Sequence, residues 1–232
     1  MKPALATLTL YLFCVTGLKA QSPDSFALPR HREILNKGIY VPAALIAAGF
    51  LTNNNNTGAI KRQIAAERNE HLPYFKTTVD NYLQYSPIAI AYGLDAAGIR
   101  SKTDIANRTV ILLKGELMML GAVTLLKNTT HELRPDGSAY NSFPSGHTAQ
   151  AFAAATFLSE EYKGRFKWMP YAAYGMASGV GLLRMANNRH YISDVLLGAG
   201  LGILSMKVAY WTHQYKWGKR REGRMGFDPK QP

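Results

Sequence analysis

Cysteine is nearly absent from this sequence. Cys14 is the only cysteine among 232 residues, and it lies in a predicted leader segment. A mature chain without the leader would contain no thiol, which excludes disulfide bonds and thiolate metal sites. The histidines His31, His71 and His213 are scattered and lack the spacing of metal ligands. We therefore expect neither a metal site nor another cofactor.

Acidic residues are also scarce. The chain has 15 Asp and Glu against 27 Lys and Arg, a formal net charge of +12. Such a charge favours nucleic acid, anionic membranes or phosphorylated substrates as partners. No nucleic-acid-binding motif occurs, so nucleic acid is not an expected partner. Part of the charge lies in a predicted basic tail, residues 214–232, which favours contact with an anionic membrane surface. Its cations are Lys216, Lys219, Arg220, Arg221 and Arg224.

The N-terminus has the features of a secretory signal. Lys2 precedes an apolar stretch over residues 3–15, and the small residue Ala20 precedes a possible cleavage site. We predict a signal peptide over residues 1–20. Leu18 is larger than the residue usually found three positions before cleavage, so an uncleaved anchor helix remains the alternative.

No segment has the alternation of a β-strand, and the chain is predicted to be all-α, with one domain over residues 21–213. An exposed helix is expected over residues 59–72, with Lys61 on a polar face. Longer helices are expected over residues 104–126, 145–162, 169–183 and 190–210, and shorter apolar stretches over 39–51 and 85–97. Small residues in the helix over 169–183 predict close helix packing.

Two predicted helices are long enough to cross a bilayer, but both carry charges, and the mean hydropathy of −0.13 is low for an embedded protein. Trp211, Tyr215 and Trp217 precede the basic cluster, which is typical of an aromatic belt and a cytoplasmic flank. These features favour membrane association. A soluble helical domain with a solvated tail remains open.

The count of membrane spans is internally inconsistent. If the signal is cleaved and the stretches 39–51, 85–97 and 104–126 all span, Lys127 falls on the cytoplasmic side. An exported site and a cytoplasmic basic tail require the opposite. Either one early stretch does not cross, or the leader is retained, or no stretch spans.

His190 and Asp194 are four residues apart at the start of the last predicted helix. That spacing places both side chains on one helix face. A carboxylate beside an imidazole holds its tautomer and raises its basicity, which leaves the other ring nitrogen free to attack. We therefore expect His190 to be a nucleophile that Asp194 orients.

A second segment, from Pro144 to His147, predicts a loop that enters a helix. Backbone amides at a helix N-terminus, left open by Gly146, can receive a phosphate, and Ser145 adds a hydroxyl donor. His147 is suited to giving a proton to a departing alkoxide.

Three cations, Lys127, Arg134 and Arg184, accompany these segments. Arginine offers a planar fork to two phosphate oxygens, and lysine offers a compact charge. Each cation alone would be an ordinary surface charge. Together with two imidazoles and one carboxylate, the set suits phosphoryl transfer.

The three segments resemble the motifs of the type 2 phosphatidic acid phosphatase (PAP2) superfamily, which includes bacterial lipid phosphatases and class A acid phosphatases. The motifs cover residues 127–194, and apolar helices extend the resemblance to about residue 211. It implies an all-helical bundle and metal-independent hydrolysis of phosphate esters through a phosphohistidine. The roles it implies are His190 as nucleophile, Asp194 as its partner, His147 as general acid, and Lys127, Arg134, Ser145, Gly146 and Arg184 as phosphate ligands.

One departure from the family pattern is Leu183, where a serine often precedes the arginine of the third motif. A phosphate hydrogen bond is therefore in doubt, although no charge or proton-transfer group is missing. His131 and Glu132 lie between motif residues, and we expect them to face solvent in a loop.

The expected substrate is a phosphorylated membrane lipid: lipid A phosphate, an isoprenyl diphosphate or a phospholipid phosphate. The expected location is the bacterial cell envelope, with the active site facing the periplasm. Three alternatives remain open: a soluble periplasmic acid phosphatase of broad specificity, a vanadium-dependent haloperoxidase, and a non-catalytic membrane-binding scaffold.

Overall fold

The computed structural model describes residues 38–54, 56 and 59–214. The predicted signal peptide and all but the first residue of the predicted basic tail lie outside the described residues. The described helices belong to one compact unit that begins at Ile39. In chain order they are α1 Tyr40–Thr52, α2 Ile60–His71, α3 Val79–Leu83, α4 Ser86–Ala96, α5 Ile105–Thr130, α6 Gly146–Tyr162, α7 Met169–Ala186 and α8 Ile192–Trp211. No strand occurs in this part of the chain, which confirms the all-α prediction.

The helices α5, α6, α7 and α8 alternate in direction and define two ends of the bundle. A loop joins the end of α5 to the start of α6, and a short turn joins the end of α7 to the start of α8. We call the side that holds these connections the site end. At the opposite side, the far end, the Thr103 amide donates to a carboxylate oxygen of Glu161 at 2.8 Å. This bond fastens the start of α5 to the end of α6.

Glycines set the distance between α6 and α8. A Cβ on Gly202 would lie 2.2 Å from the carbonyl oxygen of Ala149, and one on Gly198 would lie 2.6 Å from that of Ser145. The two glycines are four residues apart and share a helix face. The backbones therefore approach closely, and the start of α8 is held beside the start of α6.

The predicted helix boundaries need small corrections. Asp104 is the N-cap of α5, where its carboxylate accepts a hydrogen bond from the Asn107 amide at 3.1 Å. The helix ends at Thr130, four residues later than predicted, and its C-cap His131 has a left-handed φ of 46°. Lys127, which the predicted boundary left just outside the helix, therefore lies in the last turn of α5. Helix α7 likewise runs on to Ala186, and the short helix α3 was not predicted.

Helix α2 is less exposed than expected. Lys61, predicted on a polar face, is only 1% exposed. Its ammonium group pairs with the Glu132 carboxylate, donates to Asn53 Oδ1 at 2.6 Å and lies 5.1 Å from the ring centroid of Tyr191. The expectation that Glu132 faces solvent is also wrong, because its side chain is 12% exposed in this pair. Burial of both charges is tolerated because they neutralise each other.

Two described helices, α5 and α8, are long and apolar enough to cross a membrane. Their surroundings differ, because 22% of the apolar window of α5 is buried against 67% of that of α8. Leu113, Leu117, Leu120 and Leu125 of α5 are each more than half exposed. Helix α8 is thus a core helix, whereas α5 presents an outer apolar face of the kind that contacts lipid.

Candidate functional site

The turn before α6 is bonded directly to the first turn of α8. The Ser145 amide donates to the carbonyl oxygen of Asp194 at 3.0 Å. The Ser142 hydroxyl donates to the Asp194 carboxylate at 2.5 Å. Two segments about fifty residues apart in the chain are therefore held in contact, as the motif interpretation requires.

His190 and Asp194 form the expected pair. Nδ1 of His190 lies 3.2 Å from Oδ2 of Asp194, and both residues are buried. One correction applies: α8 begins at Ile192, so His190 precedes the helix instead of starting it. The Tyr191 amide donates to the same carboxylate at 2.9 Å, so the pairing depends on a helix cap.

The environment of His190 suits a nucleophile. Burial lowers the pKa of His190 to about 4, against the opposing effects of the hydrogen bond and charge of Asp194. The ring is therefore neutral near neutral pH. Because Nδ1 faces the carboxylate, Nε2 is the nitrogen with a lone pair available for attack.

His147 lies in the first turn of α6, where its Nε2 is 2.9 Å from Oδ1 of Asn81. Burial, and next the charge of Arg184, lower the pKa of His147 to about 4, and Asp80 opposes them. This ring too is neutral near neutral pH, and a negative ligand would favour its protonation.

The three predicted cations lie close together. Lys127 donates to the carbonyl of Asn141 and is within electrostatic range of Arg134 and Arg184. Burial, followed by the charge of Arg184, lowers the pKa of Arg134. The Nε–H groups of both arginines are buried without a hydrogen-bond partner in the described part of the chain. Because Arg108 has the same unpartnered group away from this site, it is the closeness of the three cations that favours an anion here.

Ser145 and Gly146 are placed differently from the simplest expectation. Ser145 is the N-cap of α6, fully buried, and its Oγ accepts hydrogen bonds from the Thr148 amide at 3.4 Å and the Thr148 hydroxyl at 2.9 Å. Gly146 is half-buried, and an added Cβ would come no closer than 3.9 Å to Val123. Their predicted roles as phosphate ligands stay predictions.

A cavity of about 1000 Å³ opens beside these groups, and Arg134, His147 and Arg184 line it. Arg68 and Lys76 add two cations to its wall. His190 borders a separate space of about 10 Å³, and Arg68 and Asn188 line both spaces. The cavity therefore adjoins the buried nucleophile candidate and carries an excess of positive charge.

Sequence reasoning missed several residues that contact the predicted set. Ser142 bonds to Asp194, Asp80 pairs with Arg184, and Asn81 contacts His147. Ser142 lies just before a predicted motif, and that proximity was an available signal. Asp80 and Asn81 lie far upstream in a segment without a motif, so nothing in the sequence marked them.

Comparison with known proteins gives consistent matches. The PAP2 superfamily model matches residues 108–218. Lipid A 1-phosphatase of Porphyromonas gingivalis is 36% identical over 190 residues, which is 77% of this chain and 42% of that protein. The chain spans less than half the length of the curated relatives it matches.

Two crystal structures are also similar. LpxE of Aquifex aeolicus aligns with a TM-score of 0.48 and 20% identity, over 62% of this chain and 93% of that one. A transmembrane PAP2-type phosphatidylglycerolphosphate phosphatase of Bacillus subtilis aligns with a TM-score of 0.46 and 20% identity, over 74% and 94%.

The family match begins at Arg108 and includes all three motif segments, from Lys127 to Asp194. Those segments also meet in space around the buried imidazole of His190. With the 36% identity to a lipid A 1-phosphatase over 77% of the chain, these findings establish that the chain belongs to the PAP2 superfamily.

Proposed function

We propose that the protein is a phosphatase that hydrolyses a phosphate ester of a membrane lipid through a phosphohistidine at His190. The observation that carries this proposal is the buried pair of His190 and Asp194 beside a cavity with excess positive charge. The family supports the reaction class, and metal is not needed because cations of the chain itself surround the site.

In the proposed complex, the phosphate lies between Lys127, Arg134 and Arg184. The buried Nε–H groups of the two arginines gain acceptors there. Amides at the start of α6, at Gly146 and His147, add donors at a helix N-terminus. These groups stabilise the negative charge on the equatorial oxygens in the transition state.

The reaction proceeds in two steps. First, Nε2 of His190 attacks phosphorus, the bond to the lipid oxygen breaks, and His147 gives its proton to the departing alkoxide. Then water attacks the phosphohistidine, its proton passes to His147, and the bond to His190 breaks to release phosphate. The dianionic substrate raises the pKa of His147, so substrate and proton bind together.

A lipid A phosphate is the substrate we favour over an isoprenyl diphosphate or a phospholipid phosphate. The lipid A 1-phosphatase of P. gingivalis supports this choice. Pro73 is the only apolar residue among the described residues that line the cavity, which suits a polar head group better than acyl chains. The outer leucines of α5 provide the contact with lipid.

The direction of α8 supports one orientation in the membrane. This helix begins at the site end and ends at Trp211, so the basic sequence over residues 216–224 follows from the far end. Basic flanks favour the cytoplasmic side. We therefore propose that the site end faces the periplasm.

The direct test is phosphate release by detergent-solubilised protein in the presence of a metal chelator, with lipid A, an isoprenyl diphosphate and phosphatidate as substrates. We expect release from lipid A, and loss of release in His190→Ala. A wild-type protein that releases phosphate from none of them would contradict the proposed function. Full activity in His190→Ala would contradict the nucleophile.

A further inference from the structure

The short helix α3, Val79–Leu83, contacts two of the proposed catalytic groups through adjacent side chains. Asp80 contacts Arg184, and Asn81 contacts His147. The helix lies upstream of residues 108–218, the part of the chain that matches the family model.

Asp80 holds Arg184 from behind. Its carboxylate is 1% exposed and accepts from Nη1 of Arg184 at 2.7 Å and from Nδ2 of Asn187 at 3.3 Å. Asn187 also bonds to both backbone groups of Thr77, at 2.8 and 2.9 Å. The carboxylate is therefore fixed in place, and it fixes the guanidinium that lines the cavity.

Asn81 faces one nitrogen of His147. Its Oδ1 is an acceptor, so the nitrogen 2.9 Å away, Nε2, carries a hydrogen. That arrangement leaves Nδ1 as the nitrogen that gains or loses a proton. The arrangement at His190 is the reverse, because Asp194 contacts Nδ1 there and leaves Nε2 to react.

The chemical difference between the two partners fits the two roles. A carboxylate raises the basicity of an imidazole, which suits a nucleophile. A neutral amide orients the ring without stabilising its cation to the same extent, which suits an acid that must release its proton. The charged or titratable groups around His147 are Arg184 of α7, Asp80 of α3, Arg134 of the loop after α5 and His190 before α8.

We propose that Asn81 is a positioning residue for the general acid His147 and that Asp80 is a positioning residue for Arg184. The inference rests on the proposed function. In the proton transfer, the Nδ1–H bond breaks, the new O–H bond forms on the lipid alkoxide, and the imidazolium becomes a neutral ring. Its Nε2–H stays bonded to Asn81 throughout.

Leaving groups separate the two roles. In Asn81→Ala, kcat/KM for an alkyl phosphate should fall about tenfold or more, because an alkoxide needs a proton. For 4-nitrophenyl phosphate, whose leaving group needs none, the loss should stay below about threefold. Asp80→Asn should lower kcat/KM for the two substrates by the same factor, because Asp80 acts through Arg184, which binds the phosphate that both substrates share. Tyr82→Ala, on the exposed side of α3, is the matched control. Equal losses for both substrates in Asn81→Ala would overturn the role of Asn81, and a loss confined to the alkyl phosphate in Asp80→Asn would overturn that of Asp80.

A pH profile gives a readout that loss of structure would not mimic. A carboxylate in Asn81→Asp should raise the pKa of His147 and move the alkaline limb of kcat/KM for the alkyl phosphate to higher pH. In a His147→Gln background, Asn81→Asp should leave the alkaline limb of kcat/KM where it is in His147→Gln alone. An unmoved limb in Asn81→Asp would count against the contact.

Nitrogen NMR of the histidine-labelled protein tests the geometry without activity. We expect the Nε2–H tautomer of His147 at neutral pH in the wild type, and a mixture in Asn81→Ala. A predominant Nδ1–H tautomer in the wild type would overturn the inference even if the enzyme is active. An inactive wild type with the Nε2–H tautomer would instead contradict the proposed function.

Discussion

Two buried arginines at opposite ends of the bundle have different surroundings. At the far end, Arg108 is fully buried, pairs with Asp95 at 3.0 Å and lies 4.4 Å from the ring centroid of Tyr92. At the site end, Arg184 pairs with Asp80 at 2.7 Å but also lines a cavity beside a second arginine. Both are ion-paired, and only one has space for a ligand.

The charges around each arginine explain the difference. At the far end, Asp95 pairs with Arg108, and Glu160 contacts Lys163 at 2.6 Å and Lys207 at 3.6 Å. At the site end, Arg68 and Arg134 have no ion-pair partner in the described part of the chain. Burying unmatched positive charge costs free energy, which a bound anion would offset. The far end is a scaffold, and the site end is suited to an anion.

The largest contrast should come from the histidines. His190→Ala should lower kcat by about ten-thousand-fold, because no other group can form the covalent intermediate. His213→Ala, at the far end, removes a hydrogen bond with Asn107 of 2.7 Å and should change stability only. Phosphate release and thermal unfolding of both variants would measure this, and a similar loss of kcat in both would break the comparison.

The arginines themselves should respond differently to the same substitution. Arg184→Lys keeps a charge beside Asp80 but loses the planar fork, and kcat/KM should fall about a hundredfold. Arg108→Lys should lower the melting temperature and leave kcat/KM of the folded protein unchanged. Phosphate assays normalised to folded protein separate the outcomes. If Arg108→Lys also lost activity, the far end would have a catalytic role.

The close contact between α6 and α8 should affect the free energy of unfolding more than helix propensity does. Gly202→Ala puts a Cβ 2.2 Å from the Ala149 carbonyl oxygen and should cost about 3 kcal/mol of unfolding free energy. In Gly179→Ala the new Cβ has no neighbour within 4 Å, and the gain in helix propensity is about 1 kcal/mol. Denaturation in detergent would test both, and equal effects would mean that the glycine contact does not fix the crossing.

Acid should lower both the activity of the site and the stability of the bundle through the same histidine. Attack needs neutral His190, whose pKa burial lowers to about 4 from the usual 6.5. Above that value protonation of His190 should no longer limit the reaction, and kcat/KM should fall about tenfold for each pH unit below it. The same depressed pKa means that the stability contributed by neutral His190 declines as pH falls through 6.5. A limb of kcat/KM near the usual histidine pKa would indicate that His190 is more solvated than its burial implies.

The smallest effect concerns the outer wall of the cavity. Lys76 is exposed and makes no hydrogen bond within the described residues, so Lys76→Gln should raise KM for an anionic head group about threefold without changing kcat. Lys167→Gln, an exposed lysine at the far end, is the control. A KM independent of salt in the wild type would remove the electrostatic explanation.

Much of the site was predictable because its chemistry is concentrated in three short segments. The pairing of His190 with Asp194 followed from a four-residue spacing, even though His190 lies before the helix. The long helices were predictable from their apolar length, with errors of a few residues where caps decide the ends. Lys61 and Glu132 were placed wrongly because a buried ion pair and two solvated charges have the same sequence.

The sequence by itself determined the helical class, the reactive residue types and their order along the chain, since these depend on local spacing and composition. Only the tertiary structure decided that Asp80 and Asn81 contact Arg184 and His147. The physical reason is that such pairings join residues about 66 to 104 positions apart. Local spacing along the chain carries no information about contacts at that separation.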